Sequence, residues 1–256
     1  MLKKSLLTLV ATVTLLFPAG RADAAQLKVL VGGAMAEPVK KVGADYSRKT
    51  SNMLDYVVNT TGALQGKLRA GEKADIIVIS APGMDALEKE KLIAPGTRVE
   101  LARALIGVAV RVGAASPDLS SVDAFKKAIL AARSVSYVDP KAGGTSGTYI
   151  AGLFQRLGIA EEVKKKTVFR YMGSEVADAV AKGEAEIGIT FTSELAPNKG
   201  LKVAGTLPEA IQLPTNYAAA IPVGASNPDA ARAFLKDMKT PAGQAALREA
   251  GLEPIR

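Results

Sequence analysis

The 256-residue chain contains no cysteine, no histidine and no tryptophan. Without cysteine the fold must stand without disulfides, and no thiol nucleophile is available. Without histidine there is no Ser-His-Asp triad, and the two absences together remove most zinc and copper sites. No metal or organic cofactor is expected. Aromatic residues are sparse, at 5%. None interleave with basic residues as base-stacking surfaces require, so nucleic acid is not an expected partner. The apolar run that opens the chain, residues 6–17 of MLKKSLLTLVATVTLLFPAGRADAA, falls short of the roughly 20 residues that span a bilayer. It follows Lys3 and Lys4 and leads to Ala22-Asp23-Ala24, a small-x-small cleavage pattern. Residues 1–24 therefore read as a secretory signal peptide, which places the mature chain in the periplasm.

Acidic residues are in deficit. There are 33 Lys and Arg against 25 Asp and Glu, a net charge of +8, and removal of the leader leaves about +6. The one dense run, Lys164-Lys165-Lys166, sits beside Glu161 and Glu162 and reads as a solvated helix end. The surplus favours approach of an anionic solute without identifying one.

What the sequence does have is an alternation of short apolar strands and helical stretches. Strands are expected at 27–31, 54–58 and 74–79, with helices at 36–49, 63–70 and 83–92. The third strand is continuously apolar, as when both faces are covered. A second set follows, with helices at 122–132, 147–157 and 174–182 and strands at 134–138 and 187–191. A strand at 217–221 and helices at 229–238 and 241–250 close the chain. This pattern predicts an α/β protein of two lobes, each a mostly parallel sheet flanked by helices. The apolar segment at 101–112 is about twice the usual strand length and is expected to serve two sheets in succession. Lobe one is assigned to 25–107 plus 217–256 and lobe two to 108–216.

In open α/β sheets ligands bind beyond the strand C-termini, at helix N-termini. Four strand-to-helix loops qualify: Gly32-Gly33-Ala34, Thr60-Thr61-Gly62, Ser80-Ala81 and residues 143–148. All are small or hydroxyl-bearing. Glycine lets a ligand approach the backbone, and a helix N-terminus offers unpaired N–H groups and partial positive charge. The stretch DPKAGGTSGTY has this chemistry in Thr145, Ser146, Gly147 and Thr148. A capped tight turn is the bland reading of the same residues. The equivalent Thr60-Thr61-Gly62 in the other lobe favours an anion site between lobes.

On these segments the chain resembles the periplasmic molybdate-binding-like solute receptors of ABC importers, which have the type II periplasmic binding fold. LKVLVGGAMAEPV is similar to the family's opening strand, loop and helix, and TGALQGKLRAGEKADIIVISA to its second loop, helix and third strand. GGTSGTYIAGLFQRLGI is similar to the second-lobe anion loop and helix, and GEAEIGITFTSEL to the strand entering the hinge. The resemblance implies a cleft that closes on a small anion by hinge motion and delivers it to a membrane permease. Taken together with the loop chemistry, it puts ligand contacts on Gly33, Ala34, Thr61 and Gly62 from lobe one. From lobe two it adds Thr145, Ser146, Gly147 and Thr148, with Ser174 and Phe191. Three positions where the family has hydroxyls carry Ala34, Gly62 and Phe191 here. This leaves the ligand open between a molybdate or tungstate-type oxyanion and a small carboxylate or phosphorylated acid. A carboxylate would favour an Arg partner, for which Arg69, Arg103 and Arg170 are candidates.

An exported hydrolase is the competing class. Ser146 has no histidine to activate it, and no S-x-x-K pattern starts a helix near these loops. The chain is therefore expected to be a binding protein and not an enzyme. A surface or colonisation factor on the same scaffold stays open, because fold does not fix function.

Overall fold

The computed structural model describes residues 24–255, so the expected leader lies outside the described residues apart from Ala24. The chain begins with β1 (Gln26–Gly32), a 3-10 turn at Gly33–Met35 and α1 (Ala36–Thr50). It continues through β2 (Met53–Asn59), α2 (Thr61–Arg69), β3 (Ile76–Ser80), α3 (Ala81–Lys89) and β4 (Val99–Ala104). Next come β5 (Ile106–Arg111), α4 (Val122–Ala131), β6 (Val135–Val138), α5 (Thr145–Arg156), α6 (Ala160–Lys164) and β7 (Thr167–Arg170). After these follow α7 (Gly173–Ala181), β8 (Ile187–Phe191), α8 (Thr192–Leu195) and β9 (Leu201–Thr206). The chain closes with β10 (Thr215–Ala220), α9 (Pro228–Met238), α10 (Pro241–Glu249) and β11 (Glu253–Pro254).

The strands form two sheets, ordered β11-β4-β10-β3-β1-β2 and β7-β6-β8-β5-β9. β1 pairs in parallel with β2 and β3, and β6 with β7 and β8. β10 runs antiparallel to both β3 and β4, and β5 antiparallel to both β8 and β9. The sheets are thus mixed rather than uniformly parallel, for a topological reason. Strands joined by crossover helices point the same way. β5 and β10 instead arrive directly from the opposite lobe, start at the cleft and run away from it.

The long apolar segment at 101–112 divides at Leu105 into β4 of the first sheet and β5 of the second. Gln212 staples this crossing. Its Oε1 accepts from the Ile106 N–H at 2.9 Å and its Nε2 donates to the Ile106 carbonyl at 3.0 Å.

Every residue of β3 is buried because helices cover both faces of its sheet. On one face Leu30, Ile77 and Ile79 pack with Leu64 of α2 and Met84 and Leu87 of α3. On the other, Val29, Val31 and Val78 belong to the core that includes Val39 of α1, Phe234 of α9 and Leu247 of α10. β7, β9, α6, α8 and β11 were not expected from the sequence. β7 and β9 lie at sheet edges and are largely half-exposed, so neither carries a clear apolar period.

Candidate functional site

The C-terminal ends of β1, β3, β6 and β8 meet at one cleft between the lobes. The first residues of several helices line it: Gly33 and Ala34 of the 3-10 turn, Thr61 of α2, Thr145 and Ser146 of α5, and Gly173 of α7. The cleft is closed. Its inner cavity is about 20 Å³, room for roughly one water. Backbone and hydroxyl contacts latch it across the lobes. The Gly62 N–H donates to the Gly143 carbonyl at 3.1 Å, the Thr60 hydroxyl donates to the Ala142 carbonyl at 2.5 Å, and Thr145 and Ser80 share a hydroxyl contact at 3.2 Å.

The helices offer donors here. α5 starts behind Gly144, which has no side chain to cap it, and α3 and α7 also lack side-chain caps. First-turn N–H groups of α5 and α3 are therefore open to a ligand, while that of Gly173 at the start of α7 is directed to Glu194. Among the described residues no Lys or Arg lines the inner cleft.

Glu194, on α8, is the carboxyl in this lining. It is packed against the backbone of two glycines: a Cβ at Gly33 or Gly173 would overlap its oxygens. The Thr190 hydroxyl donates to Glu194 Oε2 at 2.6 Å, and Thr190 in turn meets the Ser146 hydroxyl at 3.2 Å. A hydroxyl chain thus runs from the α5 loop to the carboxyl. Burial pushes the Glu194 carboxyl up to about 7, although hydrogen bonds from Thr190 and from the backbone of Phe191 and Gly173 oppose the rise. Burial also holds the Tyr217 phenol well above its usual range, with the Glu194 charge adding to it. The Tyr217 ring meets Phe191 edge-on, with centroids 5.8 Å apart.

Gly33 and Glu194 also border a second, larger cavity of about 480 Å³, within the range of small-ligand sites. Glu37 and Lys40 of α1, Ser174 and Asp178 of α7, and Ser193 line its other sides. The buried Ser193 hydroxyl has no hydrogen-bond partner.

Of the residues singled out in the sequence, Gly33, Ala34, Thr61, Thr145, Ser146 and Phe191 come together around the inner cleft. Gly62 stands at its rim, with its N–H taken by Gly143. Thr148 is exposed and its N–H bonds the Gly144 carbonyl within the helix. Ser174 faces the larger cavity instead. Gly147 serves packing, since a Cβ there would overlap the Val138 carbonyl, so a bulky residue at this position would disturb the fold itself. Arg69 pairs bidentately with Glu90 at 2.8 Å, while Arg103 and Arg170 bond Glu253 and Glu184, all away from the cleft. Glu194 was missed. Its signal was a single acid in the otherwise apolar and hydroxyl stretch GITFTSEL.

Two α/β lobes joined by crossing strands, with helix N-termini converging between them, define a two-lobed periplasmic solute-binding protein. The chain belongs to the bacterial extracellular solute-binding protein family, whose model matches residues 27–253. It is 32% identical over 236 residues to an aconitate isomerase of a Pseudomonas species, covering 90% of this chain and 88% of that one. It is 25% identical over 232 residues to the molybdate-binding protein ModA of Rhodobacter capsulatus, covering 90% and 89%. The periplasmic molybdate-binding protein of Azotobacter vinelandii shares the fold, with a TM-score of 0.73 at 16% identity over 90% of this chain and all of that one. The first of these relatives bears an enzyme's name across nine-tenths of this chain. It overturns the expectation, drawn from the missing histidine and cysteine, that the chain is not an enzyme. That expectation weighed only nucleophilic hydrolysis and ignored proton transfer by a lone carboxyl.

Proposed function

We propose that the cleft captures a small organic acid through its carboxylates, in the periplasm, and that the protein works alongside an ABC permease. The observation that carries this reading is a protonatable carboxyl set among helix N-terminal donors with no cation in the lining. Uncapped N–H groups from both lobes hold carboxylate oxygens. A neutral Glu194 adds a short charge-assisted O–H···O bond to one of them. A dianionic metal oxyanion gains less here if, as the resemblance to molybdate receptors implies, Ala34, Gly62 and Phe191 stand where those receptors have hydroxyls. The 32% identity to an aconitate isomerase supports an unsaturated tricarboxylate in particular.

Molybdate is the second reading, favoured by the 25% identity to a molybdate-binding protein. A thermal-shift panel separates the two: cis- and trans-aconitate, tricarballylate and citrate against molybdate, tungstate and sulfate. Binding at 100 times Kd stabilises the native state by about 2.7 kcal/mol. That corresponds to a rise in Tm of about 5–10 °C for a chain of this size. A rise with the tricarboxylates alone is expected. A rise with molybdate and tungstate alone overturns the organic-acid reading.

A further inference from the structure

We infer that Glu194 is the acid–base residue with which this protein moves a proton along a bound unsaturated carboxylate. The inference rests on the organic-acid reading above and goes on from binding to chemistry. Two observations support it. The first is placement. The Glu194 carboxyl sits where the lobes meet, bordering both the inner cleft and the 480 Å³ cavity, and it lies directly against the backbone of Gly33 and Gly173, where a Cβ would overlap its oxygens. The second is elimination. Among the described residues lining the inner cleft, the only other titratable group is Tyr217, whose phenol stays protonated across the physiological range.

The surroundings of Glu194 are otherwise neutral donors: Thr190 from β8 and the Gly173 backbone from α7. Glu37 and Lys40 of α1 and Asp178 of α7 face it across the larger cavity, and Tyr217 of β10 faces it across the inner cleft. Burial raises its proton affinity toward neutrality, where one group serves well both as base and as acid.

The step balances without any co-reactant. The ionised Glu194 carboxylate takes a proton from the CH2 carbon next to a carboxylate of the substrate. The C–H electron pair spreads over the three-carbon allyl unit and into its carboxylates, toward the uncapped N–H groups at the start of α5. The protonated Glu194 then gives a proton to the other end of the allyl unit, and the double bond moves by one carbon. No atom or electron is gained or lost, and the product is an isomer of the substrate. The unpartnered Ser193 hydroxyl, in the same cavity wall, is placed to hold a further carboxylate.

The test uses the mature chain with trans-aconitate in D2O, followed by proton NMR, with affinity measured separately by calorimetry. Wild type is expected to form the cis isomer and to place deuterium on the allyl carbons. Its rate should rise with pH through about 7, following ionisation of Glu194. Glu194→Gln, whose amide N–H can still donate where the protonated carboxyl does, should bind trans-aconitate measurably, though more weakly than wild type, and lose at least about 100-fold in exchange rate at saturating ligand. Glu194→Asp should keep a measurable rate. If wild type binds no tricarboxylate, the organic-acid reading itself has failed. Binding without any exchange sinks the inference and leaves that reading standing, as does exchange retained by Glu194→Gln. If Glu194→Gln does not fold, Glu194→Asp and the wild-type profile decide: a rate independent of pH between 5 and 9 overturns the role.

Discussion

Glu194 owes its position to two absences of side chain. Glycine at 33 and at 173 lets the carboxyl lie directly on the backbone of both lobes, where it is stripped of water. The group keeps its proton up to about pH 7 in the folded protein, against 4.5 for an ordinary glutamate. Between those values the native state holds a proton that the unfolded chain releases, so this carboxyl makes stability fall as pH rises from 4.5 through 7. The difference corresponds to about 3 kcal/mol. Glu194→Gln, neutral at every pH, lacks this slope. Urea unfolding of both proteins from pH 4.5 to 8 should therefore show the variant gaining on wild type as pH rises. A constant difference would mean that Glu194 ionises as an exposed glutamate does. The residues around it were only partly legible. The small and hydroxyl loop residues stood out because they follow strands and precede helices. Glu194 did not, because an acid's burial depends on what the other lobe places over it.

At the scale of elements, β4, β5 and β10 decide how the lobes relate. Ile106 is the first residue of β5, and Gln212, in the return connection before β10, bonds both its N–H and its carbonyl. The Leu213 N–H also donates to Gln212 Oε1 at 3.0 Å. Gln212→Ala leaves the Ile106 and Leu213 N–H groups without that acceptor, in a half-buried crossing, which costs about 1–3 kcal/mol. A lowered denaturation midpoint at unchanged m-value is the expected result, and an unchanged midpoint would remove Gln212 from the crossing. The sequence marked this region by an apolar run too long for one strand, and it located the strands buried on both faces. ADIIVI is an example, becoming β3. It did not show strand direction. β5 and β10 run against their neighbours because of the side from which the chain enters, which no local pattern encodes. TVFR and LKVAGT stayed unread because edge strands are half-solvated and lose the apolar period.

The inner cleft is shut on a space of about 20 Å³, too small for any tricarboxylate, so a ligand reaches the inner cleft only when the lobes part. Closure brings backbone onto backbone at Gly62 and Gly143, the latter in the left-handed region at φ 72°. A Cβ on Gly62 would sit 3.1 Å from both the Cα and the carbonyl oxygen of Gly143. Backbone cannot swing aside as a side chain can, so Gly62→Ala should hold the lobes a few tenths of an ångström apart and strain every contact that depends on closure. Overpacking of this kind costs about 1–3 kcal/mol. If the whole of that falls on the closed state, affinity for a ligand enclosed by both lobes drops by about 5- to 150-fold. Calorimetry with trans-aconitate on wild type and Gly62→Ala measures the drop. Small-angle scattering shows whether it comes from closure: wild type should contract when ligand is added, and the variant should contract less. Equal affinity and equal contraction would mean that the ligand is held by one lobe alone and that the latch at Gly62 and Gly143 plays no part in capturing it.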